Sequence, residues 1–202
     1  GCINSCICGT RVHHPDTGLI CLENAHGSGV VLPLDYMEEV YQLARKQELK
    51  VHLDGARLFN AAVHLDVDVK EICKLVDSVT FCLSKGLAAP IGSMLCGSKE
   101  FIEKARRGRK LLGGGMRQVG VLGAPGIIAL EEMSKRLLED HENAIYLAGE
   151  LNKLEQFEVD MERLEINMVF ANSTVEFAPL AEYLLEHDII IGGYENKAIR
   201  LA

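Results

Sequence analysis

The sequence predicts an α/β protein built on a mostly parallel sheet, and three observations predict it. Short apolar runs stopped by turn residues alternate with helical patterns from Leu19 to Leu83. That strand, helix, strand, helix, strand rhythm is the connectivity of parallel sheets. Charged residues stand just beyond two of the strands, Asp54 with Arg57 and Ser84 with Lys85, where such sheets place their chemistry. Finally, 48% of the 202 residues are apolar and 25% charged, enough for a packed core.

The elements follow in order. Leu19 to Glu23 is an apolar run stopped by Asn24 and the Ala25-His-Gly-Ser-Gly29 loop, a buried strand ending in a turn. Asp35 with Glu38 three residues on predicts a capping box opening a helix, whose apolar face is Leu34, Met37, Val40, Tyr41 and Ala44. Val51 to Asp54 is the next strand, ending at Gly55. Helical segments cover Ala56 to Leu65 and Val69 to Leu75. Ser78 to Leu83 is a β-branched strand, and Ser93 to Cys96 lies close enough behind to pair antiparallel with it. Helices are expected at Lys99 to Leu111 and, bent or split, at Pro125 to Leu154, with Pro125 in a first turn. Beyond it, Phe157 to Met161, Asn167 to Asn172 and Ile199 to Leu201 read as short strands flanking a helix from Ala178 to His187. The expected division is 1–136 for a large domain and 137–202 for a small α+β one.

Composition excludes several classes. Lys plus Arg total 21 against 29 Asp plus Glu, a formal charge of -8, which suits neither nucleic acid nor an anionic membrane. The longest apolar stretch, Val119 to Leu130, is far short of the roughly 20 residues that span a bilayer. Seven cysteines cannot all pair within one chain. Cys73, Cys82 and Cys96 read as core thiols, and Cys2, Cys6, Cys8 and Cys21 as free thiols, since Cys-x-x-x-Cys-x-Cys is poor spacing for a metal. No metal is expected. The irregular leader has no basic stretch running into an apolar one, so the expected location is cytoplasmic.

Lys85 carries the most information. It follows an apolar strand in a Gly-rich turn, a poor place for a solvated charge. Taken alone it reads as a lysine capping a turn; buried, its amine would be a nucleophile toward a carbonyl, most often that of pyridoxal phosphate. That cofactor needs a carboxylate beside its ring nitrogen. Asp54, at the end of the preceding strand, is the candidate, although an ordinary strand-end Asp looks the same.

Three motifs then stand in order: His52-Leu-Asp-Gly-Ala-Arg-Leu-Phe-Asn-Ala-Ala62, Cys82-Leu-Ser-Lys-Gly-Leu87 and Gly113-Gly-Gly-Met-Arg-Gln118. With Leu22-Glu-Asn-Ala-His26, where Ala25 departs from the usual Thr, they resemble the low-specificity L-threonine aldolases of the β-eliminating lyase group. The similarity runs from about Arg11 to the C-terminus. It implies a pyridoxal 5'-phosphate enzyme of the aspartate-aminotransferase fold, with part of the large domain and an incomplete small domain.

The resemblance also implies roles. Lys85 matches the lysine that binds the cofactor covalently, Ser84 lies beside it among the cofactor-binding residues, and Asp54 matches the carboxylate facing the pyridine nitrogen. Arg57 and Arg200 match arginines that hold the substrate carboxylate, a task the planar guanidinium fork suits. Lys110 and Arg117 resemble basic residues that reach a neighbouring subunit's cofactor phosphate; read locally, Arg106, Arg107, Arg109 and Lys110 are equally a solvated helix face. His13 sits where the family has a histidine near the substrate hydroxyl, and is otherwise a loop histidine.

The implied reaction is aldol cleavage of L-threonine or L-allo-threonine to glycine and acetaldehyde, in a homodimer or homotetramer acting on a small β-hydroxy-α-amino acid. Family members carry a further segment ahead of Arg11 with the phosphate-cradling Gly-rich turn, so an N-terminally truncated chain is expected. The alternatives are another reaction on the same scaffold, such as β-elimination, and a non-catalytic chain that only associates with full-length subunits.

Overall fold

The computed structural model describes residues 2–7, 16–192, 194–195 and 198–202. The chain divides into two compact units, one of residues 1–26 and 31–135, the other of residues 27–30 and 136–202.

The first unit opens with a short helix, α1 (Cys2–Cys6), where the sequence suggested an irregular leader. β1 (Leu19–Glu23), α2 (Leu34–Lys46), β2 (Lys50–Asp54), α3 (Leu58–His64), α4 (Val69–Cys73), β3 (Ser78–Cys82) and β4 (Ser93–Gly97) follow. The strands form one sheet in the order β1-β2-β3-β4. β1 and β2 run parallel with Glu23 opposite Asp54, β2 and β3 run parallel with Asp54 opposite Thr80, and β4 pairs antiparallel with β3. The strands alternate: Ile20, Val51, Leu53, Val79 and Phe81 are buried, whereas Cys21, Lys50 and Asp54 are exposed. Ile20 and Val51 pack with Leu49 against Val40 and Ala44 of α2, with Ile3 and Ile7 at the margin. Burial of this apolar face against α2 is the main source of cohesion here.

α2 starts differently from expectation. Pro33 is its N-cap, and its carbonyl accepts from the Met37 N–H at 3.2 Å. Asp35 lies inside the first turn, where its Oδ1 accepts only from the next residue's N–H at 2.7 Å, so no capping box forms. The fixed φ of proline sets the helix entry instead.

α5 (Lys99–Leu111) is capped by Ser98, whose hydroxyl accepts from the Phe101 N–H. α6 spans Gly120–Glu131, so Pro125 falls in its interior rather than in a first turn. The helix accommodates it at the loss of one i→i−4 bond. A 3-10 turn over Met133–Arg136 then leads to α7 (Leu137–Leu151), the expected split. Cys73 and Cys82 are half-buried, but Cys96 is exposed because β4 is an edge strand, so the core-thiol expectation fails there. Burial pushes the Cys73 thiol up, and nearby Cys96 and Asp68 add to the effect.

The second unit contains α7, β5 (Phe157–Val159), a 3-10 turn at Met161–Arg163, β6 (Val169–Ser173), α8 (Phe177–Leu185), β7 (Tyr194–Glu195) and β8 (Ala198–Leu201). Its antiparallel sheet has the order β5-β6-β8-β7; β7 was not anticipated. Ala144 and Ala148 of α7 pack on Val159, Val169 and Ala171, which cover one face. Phe170 and Arg200, directly paired, lie on the other.

Candidate active site

The carboxyl ends of β2 and β3 converge in the first unit. Asp54 ends β2, and its Oδ1 accepts from the Ala56 N–H at 3.0 Å, closing a turn around Gly55. Gly55 donates its N–H to the Thr80 carbonyl at 2.8 Å, and a Cβ there would sit 2.8 Å from that oxygen and 3.0 Å from Leu58 Cβ. Only glycine lets the two strand ends approach so closely. The Ala56 carbonyl in turn accepts from the Cys82 N–H, tying this turn to the end of β3.

Ser84 and Lys85 leave β3 into a second turn. Leu83 is held on both sides, its N–H by the Gly92 carbonyl and its own carbonyl by the Ala89 N–H, each at 2.9 Å. The Lys85 carbonyl accepts from Ala88 at 2.8 Å, and Ala88 takes a φ of 58° to close the turn. Lys85, Ser84 and Asp54 are exposed and Arg57 is half-buried at the N-cap of α3. The burial anticipated for Lys85 is therefore absent within this chain: its turn lies past the strand end, clear of the apolar face that α2 covers.

Asp54, Arg57, Ser84 and Lys85 thus share one end of one sheet. Lys110 lies in the last turn of α5 in the same unit, and the Gly113-Gly-Gly turn folds back onto it: a Cβ at Gly115 would meet Lys110 Cδ at 2.6 Å. Lys110 and Arg117 are both exposed. Arg200 belongs to β8 of the second unit and is exposed. His13 lies outside the described residues. Among those described, no group of three His, Cys, Asp or Glu side chains could hold a metal ion, and no helix is long and apolar enough to cross a membrane.

Two supporting residues were not anticipated. Asn24, read as a strand stop, is wholly buried; its amide donates to the Leu32 carbonyl and accepts from the Leu32 N–H, both at 3.0 Å. Its backbone N–H bonds the Asp54 carbonyl, so it links the loop after β1 to the candidate site. His52, on the same face of β2 as Asp54, pairs through Nδ1 with Ser78 Oγ at 2.8 Å. Asn24 and His52 both fall in the motifs quoted above, but the local sequence gives neither a supporting role.

The chain is 44% identical over 194 residues to the low-specificity L-threonine aldolase 1 of Arabidopsis thaliana, covering 93% of this chain and 54% of that protein. It is 44% identical over 181 residues to the low specificity L-threonine aldolase of Escherichia coli K12, covering 89% of this chain and 53% of that one. The chain therefore spans about half the length of the curated relatives it matches. A structure from Exiguobacterium sp. 255-15, provisionally described as an aromatic amino acid beta-eliminating lyase/threonine aldolase, superposes with a TM-score of 0.81 at 24% identity, over 94% of this chain and 56% of that chain. The Leishmania major threonine aldolase superposes with a TM-score of 0.68 at 18% identity, over 99% and 60%. These two likenesses show that the chain shares the α/β fold of those proteins. With the beta-eliminating lyase family model matching residues 3–174, strand ends and glycine turns included, the chain belongs to the β-eliminating lyase family.

Proposed function

We propose that the chain carries part of the active site of a pyridoxal-phosphate-dependent enzyme that cleaves L-threonine or L-allo-threonine to glycine and acetaldehyde. The observation that carries the proposal is the placement of Asp54 at the carboxyl end of β2 and of Lys85 just past that of the adjacent parallel β3, in a chain similar to low-specificity L-threonine aldolases.

The donor set fits pyridoxal phosphate. Lys85 offers a primary amine to an aldehyde, Asp54 a carboxylate to a protonated ring nitrogen, and Ser84 a hydroxyl next to Lys85 in the chain. Bound, that cofactor supplies an electron sink for the carbanion left at Cα when the Cα–Cβ bond breaks. The chain's own residues do the rest. Arg57 and Arg200 hold the substrate carboxylate through paired hydrogen bonds, and so fix which bond at Cα is aligned for cleavage. His13 takes the proton from the β-hydroxyl, the step that lets acetaldehyde leave. Lys110 and Arg117 neutralise the cofactor phosphate of a neighbouring subunit. In this reading residues 1–136 are part of the large domain and 137–202 part of the small one, and the protein is a cytoplasmic homodimer or homotetramer.

A second reading, a chain that associates with full-length subunits without turning over, is favoured by the exposure of Lys85 and Asp54. Adding pyridoxal phosphate to the purified chain and to Lys85→Ala separates the two. A visible absorbance band lost in the variant, followed by acetaldehyde and glycine from threonine, is the expected result. No band in either protein would favour the second reading, and pyruvate from serine without glycine from threonine would make the reaction a β-elimination.

A further inference from the structure

The open face of the second unit's sheet carries a cavity of about 320 Å³ that the reaction above does not use. That volume is at the small end of metabolite sites, which are mostly apolar with a few placed polar groups. Leu164, Met168 and Phe170 give it apolar walls, and Asp160, Arg163 and Asn172 stand among them.

The frame is firmly held. Asn152 clasps Val159 from both sides, Oδ1 accepting its N–H at 2.7 Å and Nδ2 donating to its carbonyl at 3.0 Å. Asp160 follows at once and caps the Met161–Arg163 turn, its Oδ1 accepting from the Glu162 N–H. Gly29, at φ +86°, lays its loop against Met168 and Phe170; a Cβ there would be 3.5 Å from each.

The charges on this frame are unusual. Asp160, the extended N-cap of the 3-10 turn, and Arg163, its last residue, both line the cavity. Yet they form no ion pair with one another, and the Arg163 guanidinium has no hydrogen-bond or ionic partner among the described residues. In a chain of net charge -8, rich in available carboxylates, a guanidinium left unpaired beside an apolar cavity is suited to an outside carboxylate. A carboxylate acceptor next to it suits an ammonium group.

We propose that this cavity binds a free α-amino acid with an apolar side chain: carboxylate on Arg163, ammonium on Asp160, side chain against Leu164, Met168 and Phe170. Arg200 lies opposite Phe170 on the same sheet face, so the experiment has to tell the two arginines apart.

L-Leucine is titrated into the isotope-labelled chain without cofactor and followed by NMR, beside 4-methylpentanoate, which lacks the ammonium group. Saturable shifts are expected at residues 159–164 and 168–172. Arg163→Gln is expected to weaken leucine binding roughly tenfold or more, the loss of a charge-assisted pair. Asp160→Asn, which keeps the Oδ1 that caps the turn, should weaken leucine but leave 4-methylpentanoate unchanged. Because Arg163 is exposed and unpaired, its substitution should leave the thermal midpoint where it was, so lost binding reads as a lost contact. The proposal is overturned if no saturable shift appears up to about 10 mM, a weak-affinity ceiling. It is equally overturned if Arg200→Gln abolishes the shifts while Arg163→Gln leaves them intact.

Discussion

The two ends of the parallel sheet are built on opposite plans. At the entry end, Asp77 is a hub. Its Oδ2 accepts from Arg45 Nη2 and from the Val51 N–H at 2.8 Å, and its Oδ1 from Lys50 Nζ at 3.0 Å. Arg45 also reaches the Leu49 carbonyl and lies 4.7 Å over the Tyr41 ring, so α2 and the starts of β2 and β3 are knotted together. At the exit end, Asp54, Ser84 and Lys85 are exposed, and the order there comes from backbone turns around Gly55 and Leu83. One end spends its charges on each other; at the other, Asp54 and Lys85 form no ion pair among the described residues, and the turns are shaped mostly by main chain, with Asp54 Oδ1 on the Ala56 N–H. Stability and chemistry are therefore separable along β2, and substitutions at the two ends should behave differently.

Gly55→Ala should have the largest effect. Its Cβ would stand 2.8 Å from the Thr80 carbonyl and 3.1 Å from Val79 Cγ2, contacts that backbone must move to relieve. We expect a loss of about 2–3 kcal/mol in urea unfolding, and with it loss of any cofactor band, because the turn carrying Asp54 shifts. An unchanged midpoint would show that the exit end is loose.

Asp77→Ala comes next, at about 2 kcal/mol, since it strands Arg45 and the Val51 N–H together. Arg45 Nε already lacks a partner, which leaves this guanidinium little to fall back on. The same hub sets a pH dependence. Burial alone would raise the Asp77 carboxyl, but the Val51 N–H, Lys50 and Arg45 outweigh it and hold it below the usual carboxylate range. A depressed folded value means the unfolded chain binds the proton more readily. The stabilisation is therefore full above the ordinary carboxylate range and is lost as pH falls through the lower folded value. Acid unfolding followed by circular dichroism should be flatter in Asp77→Asn than in the parent chain; parallel curves would remove Asp77 from the account.

What was legible in the sequence follows the same division. The strands β1 to β3 showed as short apolar runs with turn residues behind them, and Lys99–Leu111 was bounded correctly because Ser98 caps it and its charges leave a clear pattern. Asp54 and Lys85 were visible for a local reason, their place directly after strands. The Asp77 hub was not, because its partners are 26 to 32 residues away and only folding brings them together. α6 was misplaced at its start because Gly120 to Glu131 is apolar on every side, so no stripe marks where it begins, and Pro125 drew the boundary to itself. The cap of α2 was misassigned for the converse reason: Asp35 and Glu38 have capping-box spacing, but Pro33 already determines the entry.

The smallest effect on stability, and the sharpest test of the comparison, belongs to Lys85→Ala and Asp54→Asn. Lys85 is exposed, and what holds its turn is the main chain of Leu83, Lys85, Ala88 and Ala89, which alanine retains. Asparagine at 54 keeps the Oδ1 that accepts from Ala56, so the turn around Gly55 closes as before. Neither change should move the unfolding free energy by more than about 0.5 kcal/mol, the range of surface substitutions away from such features. Both should nevertheless fail in cofactor uptake: the first for want of the amine, the second for want of a negative charge facing a protonated nitrogen. If instead either variant unfolds at markedly lower urea, its charge is part of the scaffold after all, and the exit end of the sheet is built on the same plan as the entry end.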